Sequence, residues 1–466
     1  MENLYYLITA VLFIVALKMM TSPRTARAGN LIAAGGMLIA IAGMFLSHTV
    51  AGGMWPWIIA GLAVGAVVGT FMAVKVKMTG MPQMVSFFNG MGGLAAGLVA
   101  ISDFMDSVAK QGQTAGADDW PLEAKAAIAA IVVLAGFISF SGSMVAFLKL
   151  QEWIKSRPVV FPAQRIINLL LLAVAVIAIV VLGVSPVAHS WVLYVSIALS
   201  LLLGVLLVIA IGGADMPVVI SLLNSFTGLS AAATGILLNN YGLIIAGSLV
   251  GSSGSILTHL MCKAMNRSLG NVVFGSFGAE VTAGGGGAAH EQRTVKRYTP
   301  QDVQMALENA SNVVIVPGYG LAVAQAQHIT QELAQKLEKR GVSVKFAIHP
   351  VAGRMPGHMN VLLAEANVPY SQLMDLEESN SELERADVAI VVGANDVCNP
   401  AAHNDPQSPI YGMPILDVEK AKTVVILKRS MAPGFSGIDN DLFYRDSTMM
   451  VFGDAKATLT AIAALE

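Results

Sequence analysis

Asn312-Val-Val-Ile-Val-Pro-Gly-Tyr-Gly-Leu-Ala-Val323 decides the fold of the second half of this chain. Asn312–Val316 is a short apolar run of strand length, closed by a proline and a glycine. Gly318 and Gly320 then allow a tight turn, and let a pyrophosphate approach the backbone where a helix begins. Leu321–Arg340 reads as that helix, with Lys339 and Arg340 at its end. Outward from this unit, Val342–Ile348 reads as a second strand. Val388–Val392, Thr423–Leu427 and Met449–Phe452 read as further buried strands. Alternation of strand and helix over about 175 residues implies one doubly wound parallel sheet, a Rossmann-like α/β domain.

Upstream of residue 265 the chain changes character. Of 466 residues, 55% are hydrophobic and only 12% charged, and mean hydropathy is +0.66. A soluble domain is nearer a quarter charged. The deficit lies almost wholly before Asn271, so the first half reads as an α-helical membrane bundle. Spanning-length apolar stretches fall near residues 4–20, 30–46, 55–74, 84–102, 124–147, 165–184, 188–211, 217–238 and 242–262, which makes about nine helices. The expected organisation is a membrane domain over 1–264, a hinge and glycine-rich linker over 265–300, and a nucleotide domain over 301–466.

Basic residues follow alternate spans: Lys18, Arg24 and Arg27; Lys75 and Lys77; Lys149, Lys155, Arg157 and Arg165; Lys263 and Arg267. Such residues favour the cytoplasm, which puts the N-terminus outside and the C-terminal half in the cytoplasm. The opening Met-Glu-Asn lacks the basic flank of a signal peptide. A net charge of −2 argues against nucleic acid as a partner. Cys262 and Cys398 match no metal spacing and read as reduced, buried thiols, so no metal is expected.

Polar residues inside the spans are costly and tend to face a partner or a cavity. Asn89, Asn224, Ser139, Ser141, Ser143 and Ser252 are of this kind. Helix–helix hydrogen bonding is the plainer reading of each; a hydrated path for a proton is the functional one. His259 is an intramembrane titratable side chain, but it lies near the cytoplasmic end of its span. Gly61, Gly65 and Gly69 at four-residue spacing let helices pack closely.

Two further features bear on the ligand. An NAD site usually has an acid after the second strand for the ribose 2′-hydroxyl. This chain has Ile348-His349-Pro350 there, whereas Lys428-Arg429-Ser430 ends a later strand with two cations and a hydroxyl suited to a phosphate. NADP is therefore favoured over NAD. The third glycine of the dinucleotide fingerprint is Val323. Val351–Asn360 is a Gly- and Pro-containing loop, and Gly393-Ala394-Asn395-Asp396 follows another strand, where Asp396 would either serve the site or cap the next helix.

Taken together, Gly212–Val219, Met261–Ser268, Pro317–Gln327, His349–Asn360, Gly393–Asp396, Lys428–Ser430 and Gly453–Lys456 resemble the beta subunit of proton-translocating NAD(P) transhydrogenase over nearly the whole chain. The resemblance implies an oxidoreductase and translocase of the Si-specific/Re-specific type. NADP(H) would bind this chain and NAD(H) an alpha subunit, which is one polypeptide or is split into a soluble and a membrane one. The alpha–beta unit would be a homodimer in lipid, inactive without alpha. It implies that Gly318, Tyr319, Gly320, Leu321, Ala322 and Val323 line the pyrophosphate turn. Val351, Ala352, Gly353, Arg354 and Met355, with Gly393, Ala394, Asn395 and Asp396, also contact the cofactor, Arg354 and Asp396 lying near the nicotinamide. Lys428, Arg429 and Ser430 would hold the 2′-phosphate, with Gly453 and Asp454 beside them. Asn89, Asn224 and Ser252 would serve the proton path, and Asp215 and Arg267 the membrane hinge. Some relatives have histidine where Asn89 stands; asparagine cannot titrate, so the proton carrier is expected partly outside this chain. The competing reading is a transporter or channel regulated by a nucleotide-sensing domain.

Overall fold

A computed structural model of the chain describes residues 2–46, 54–76, 78–110, 120–155, 158–266, 268–274, 295–408, 410–431 and 438–464. The chain divides into two compact units, residues 1–211 with 219–258, and residues 212–218 with 259–466.

The first unit is helical. Its helices are α1 (Glu2–Met20), α2 (Pro23–Leu46), α3 (Trp55–Lys75), α4 (Met81–Ala109), α5 (Leu122–Leu150), α6 (Gln164–Val184) and α7 (Val192–Ile209), with most of α8 (Met216–Leu237) and α9 (Tyr241–Ala264). Each stretch expected to span falls on one of these. Among the described residues, eight helices are long and apolar enough to cross a membrane, and the apolar part of α1, Leu4–Met20, is shorter. Helix α2 begins at Pro23, so Arg24 and Arg27 lie within its first turns and not in a connecting loop. Proline suits that position because the first N–H groups of a helix have no internal acceptor.

Helix α5 is the most enclosed and packs on α4, α6 and α7. Small residues set the α4–α5 spacing. A Cβ on Gly93 would stand 2.6 Å from Gly136 O, and one on Gly136 would stand 2.6 Å from Gly93 O. Without water between helices, this close packing replaces the hydrophobic effect as the source of association. Around it, Phe104, Val132, Val133, Leu182 and Leu193 form the buried cluster. By contrast, α3 buries none of its residues, and Gly61, Gly65 and Gly69 meet nothing within 4 Å.

The second unit is α/β. After α10 (Leu269–Phe274), its elements run α11 (Pro300–Glu308), β1 (Asn312–Pro317), α12 (Tyr319–Val323), α13 (Gln327–Lys339), β2 (Ser343–Ala347), α14 (His358–Glu365), β3 (Leu373–Met374), α15 (Leu376–Leu383), β4 (Val388–Val392), α16 (Ala401–Asn404), β5 (Thr423–Lys428), β6 (Thr448–Phe452) and α17 (Ala455–Ala463). The six strands lie in the order β3-β2-β1-β4-β5-β6, all parallel. Every residue of β4 is buried, and β1 and β5 nearly so, as expected of strands covered on both faces. Thr299 and Asp302 form a reciprocal capping box at the start of α11. Arg297 adds a parallel bridge to Met450, so the chain joins the sheet before residue 300.

Two elements differ from the sequence reading. The single helix expected over 321–340 is two, α12 and α13. Gln325 sits at φ 49°, with Ala326 N–H donating to Leu321 O and Gln325 N–H to Ala322 O. That is a Schellman stop, normally built on glycine. The two-residue strand β3 was not expected; it pairs Leu373 with Phe346 and Met374 with Ala347 at the sheet edge.

The glycine contact makes a prediction. Gly136→Leu should destabilise the purified chain by about 1–3 kcal/mol through overpacking, read as a lower unfolding temperature in detergent. Gly61→Ala should leave that temperature unchanged.

Candidate functional site

The C-terminal ends of β1 and β4 are neighbours, and their loops touch backbone to backbone. Gly318 N–H donates to Val392 O at 2.9 Å and Gly320 N–H to Gly393 O at 3.0 Å. A Cβ on Gly320 would stand 2.7 Å from Gly393 Cα, and Gly393 itself has φ 65°. The glycines of the fingerprint are therefore required by the fold as well as by any ligand. Leu321 and Ala322 are wholly buried and α12 packs against α14 and α17, whereas Val323 is 47% exposed.

After β2 the loop is wound around two histidines. His349 is 1% exposed; its Nε2 donates to Pro414 O at 2.7 Å and its Nδ1 accepts from Val351 N–H at 3.2 Å. Ala352 is buried and Met355 partly so. Gly353, at φ 108°, lies where a Cβ would stand 2.6 Å from the His358 ring. Arg354 donates its backbone N–H to His358 Nδ1 at 2.9 Å and lays its guanidinium over the Tyr319 ring at 4.3 Å. Both imidazoles stay neutral, because burial pushes each down to about 4 and the Arg354 charge adds to this at His358.

Beyond β4, Asn395 Nδ2 donates to Asp396 Oδ1 at 3.0 Å. Asp396 opens a short 3-10 turn, Asp396–Cys398, and α16 starts later, after Pro400, so Asp396 does not cap that helix. Burial raises the Cys398 thiol to about 12, which keeps it protonated.

At the end of β5, Lys428 places Nζ over the Phe443 ring at 4.3 Å, buried and without a hydrogen-bond acceptor among the described residues. Burial lowers its pKa, and the charges of Asp439 and Asp396 oppose that shift. Arg429 and Ser430 are exposed. Arg429 lies 3.7 Å from Asp454, and Asp454 also caps α17 through Lys456 N–H and Ala457 N–H. Gly453 N–H donates to Lys428 O at 3.1 Å. An unsatisfied ammonium beside an exposed guanidinium and hydroxyl fits an anionic group such as a phosphate.

The helical unit holds a separate polar cluster. Asn89 Nδ2 donates to Ser139 Oγ at 3.2 Å and Ser143 Oγ at 3.0 Å. Ser139 Oγ lies 2.6 Å from Thr227 Oγ1 and 2.9 Å from Leu223 O. Of the residues suggested for a proton path, only Asn89 belongs to it. Asn224 is half-buried one turn from Thr227, and Ser252 is exposed on α9. Ser139, Ser143 and Thr227 were all legible as polar residues inside spans, but not that the fold brings them together with Asn89. Lys149, counted as a cytoplasmic loop charge, is 1% exposed and donates to Ile209 O at 2.6 Å and Ile211 O at 2.8 Å, capping the end of α7. Asp215 is buried in the short turn before α8, and Arg267 lies outside the described residues. Among the described residues no group of His, Cys, Asp or Glu side chains could hold a metal ion.

A parallel α/β unit joined to apolar membrane-length helices defines a membrane protein with an α/β domain. A family model for the NAD(P) transhydrogenase beta subunit matches residues 2–464. The NAD(P) transhydrogenase subunit beta of Rhodospirillum rubrum is 52% identical over 452 residues, covering 97% of this chain and 96% of the relative. The same-named protein of a designated strain of that species matches to the same extent. The chain belongs to the NAD(P) transhydrogenase beta subunit family, whose name implies an alpha subunit as partner.

The buried histidines set a pH dependence. Each has a folded pKa of about 4 against an ordinary 6.5. The unfolded chain then binds more protons between those values, so stability falls as pH drops through that window. At pH 5 the loss should be on the order of 2 kcal/mol per histidine. Thermal unfolding at pH 7 and pH 5 checks this, and the double variant His349→Gln, His358→Gln should flatten the difference.

Proposed function

We propose that this chain carries the NADP(H) half of a proton-translocating transhydrogenase. Hydride would pass between NADH on the alpha subunit and NADP on this chain, coupled to proton movement through the membrane helices. The observation that supports this most is the cationic end of β5, where Lys428, Arg429 and Ser430 stand together while β2 ends without an acid. The strand order β3-β2-β1-β4-β5-β6 is that of dinucleotide-binding Rossmann folds, which bind ligands where the order reverses, here between β1 and β4.

When bound, the nicotinamide accepts or releases the hydride. The chain's own residues bind and orient. Arg429 and Ser430 hold the 2′-phosphate, and Lys428 supplies a second positive charge. The Gly318–Gly320 turn would hold the pyrophosphate, and the Arg354 guanidinium, stacked on Tyr319, and the Asp396 carboxylate would help hold and orient the nicotinamide end. In the membrane unit, the Asn89 cluster orients water and hydroxyls along a proton path whose titrating group belongs partly to the alpha subunit. The C-terminal unit faces the cytoplasm of a bacterial cell, the first helix begins outside, and two alpha–beta units pair as a dimer.

The full chain in detergent should bind NADPH much more tightly than NADH. Arg429→Ala should weaken NADPH by about tenfold to a hundredfold, the value of one charge-assisted contact, and leave NADH unchanged. Equal affinities in the unsubstituted chain would refute the cofactor assignment. Hydride transfer should need the alpha subunit. In the reconstituted enzyme, Asn89→Leu should reduce proton uptake into vesicles several-fold with little change in NADPH affinity, because it removes two donated hydrogen bonds from the cluster and touches nothing in the α/β unit.

A further inference from the structure

Asn440 and Asn399 are both fully buried. Buried amides are expensive unless every polar atom is used. Asn399 Nδ2 donates to Asp439 O at 3.0 Å, and its Oδ1 accepts from Ala401 N–H at 3.0 Å. Asn440 Nδ2 donates to Asn395 O at 3.1 Å and reaches Asn395 Oδ1 at 3.4 Å; its own Oδ1 accepts from Leu442 N–H at 3.0 Å. The loop after β4 and the turn that follows residue 438 thus hold each other through two reciprocal asparagines.

The contact with Asn395 has a direction. By pointing a donor at Asn395 Oδ1, Asn440 leaves the opposite end of that amide, Nδ2, facing Asp396 Oδ1 at 3.0 Å. The flipped amide would set oxygen against carboxylate oxygen on one side and N–H against N–H on the other. The Cys398 thiol, 3.3 Å from Asn395 O, holds the same carbonyl from a second side. The same turn carries Phe443, over whose ring the Lys428 ammonium lies.

We propose that Asn440 is a positioning residue which acts through the Asn395 amide to fix the Asp396 carboxylate, and so sets how tightly the dinucleotide is held. This rests on the reading of the sheet edge as an NADP(H) site. Asn440 also has a purely structural task, capping the turn Asp441–Tyr444. Serine serves equally well as a cap but is too short to reach Asn395, so Asn440→Ser separates the two tasks.

The experiment is NADPH titration of the full chain in detergent, with thermal unfolding measured alongside. Asn440→Ser should raise the NADPH Kd about tenfold, the value of roughly one well-placed hydrogen bond, while the unfolding temperature stays within a few degrees. In an Asp396→Ala background the same substitution should change Kd less than about twofold, because linked residues are non-additive. An unchanged Kd in Asn440→Ser, or the same factor with and without Asp396, overturns the proposal. If Asn440→Ser fails to fold, Asn440→Thr decides. Threonine also caps the turn and does not reach Asn395, so a wild-type Kd there overturns the proposal and a tenfold rise supports it. A wild-type chain with no preference for NADPH over NADH would fail at the underlying site reading, and would be distinguished by that result alone.

Discussion

The α/β unit depends on one backbone contact, the seating of Gly318 and Gly320 against Gly393. Parallel strands β1 and β4 are neighbours, so their loops leave the sheet at the same end and compete for one space. They share it only because neither carries a Cβ at the contact. Gly318 N–H and Gly320 N–H are spent on Val392 O and Gly393 O, and Leu321 N–H on Gly318 O. With three donors of the turn engaged internally, the turn in the proposed NADP(H) site would offer a phosphate close approach more than charge. Neutralisation would fall to the side chains at the end of β5, two strands from β1.

The polar groups near that contact follow a consistent electrostatic pattern. His349 and His358 are held neutral, Cys398 is held protonated, and positive charge is confined to Arg354, Lys428 and Arg429. An imidazolium at His358 would repel the Arg354 guanidinium and break the bond from the Arg354 backbone N–H to His358 Nδ1. Lys428 is the costly member, since its ammonium is buried with no acceptor among the described residues. The Phe443 ring and the charges of Asp396 and Asp439 offset part of that cost. A group maintained at such expense is expected to face an anion during function.

Much of this was legible in sequence, and the reasons are physical. Strands β1, β4 and β5 are continuous apolar runs because both faces are covered, so burial writes itself into composition. Helices in lipid do the same over longer stretches. What escaped notice has no local signal. The break between α12 and α13 uses Gln325 where glycine would have announced a stop. Strand β3 is two residues long and exists only because β2 offers an edge. Leu321 and Ala322, grouped with the cofactor residues by motif, turn their side chains into the core. Asn440, set among Ile438-Asp439-Asn440-Asp441, looks like a turn former, which it is, and only the tertiary contact shows that it also reaches Asn395. Lys149 was read as a loop charge because composition cannot show that the carbonyls ending α7 are waiting for it.

The membrane cluster adds a constraint on how a proton could be handled. Ser139 has one hydroxyl hydrogen and two acceptors within reach, Leu223 O and Thr227 Oγ1. If it donates to Leu223 O, Thr227 donates to Ser139. If it donates to Thr227, Thr227 turns to Asn89 O, 3.3 Å away. The hydroxyls therefore have two complete hydrogen-bond arrangements, related by rotation of two O–H bonds and no movement of heavy atoms. Asn89 anchors either one, because its Nδ2 donates to Ser139 and Ser143 in both. A chain of this kind can reorient in response to a charge at its end, but no Asp, Glu, Lys or His takes part in it among the described residues, so it cannot store the proton itself. In the proposed proton path the titrating group would therefore adjoin the cluster and not belong to it, and the acid–base step would fall to a side chain outside the network.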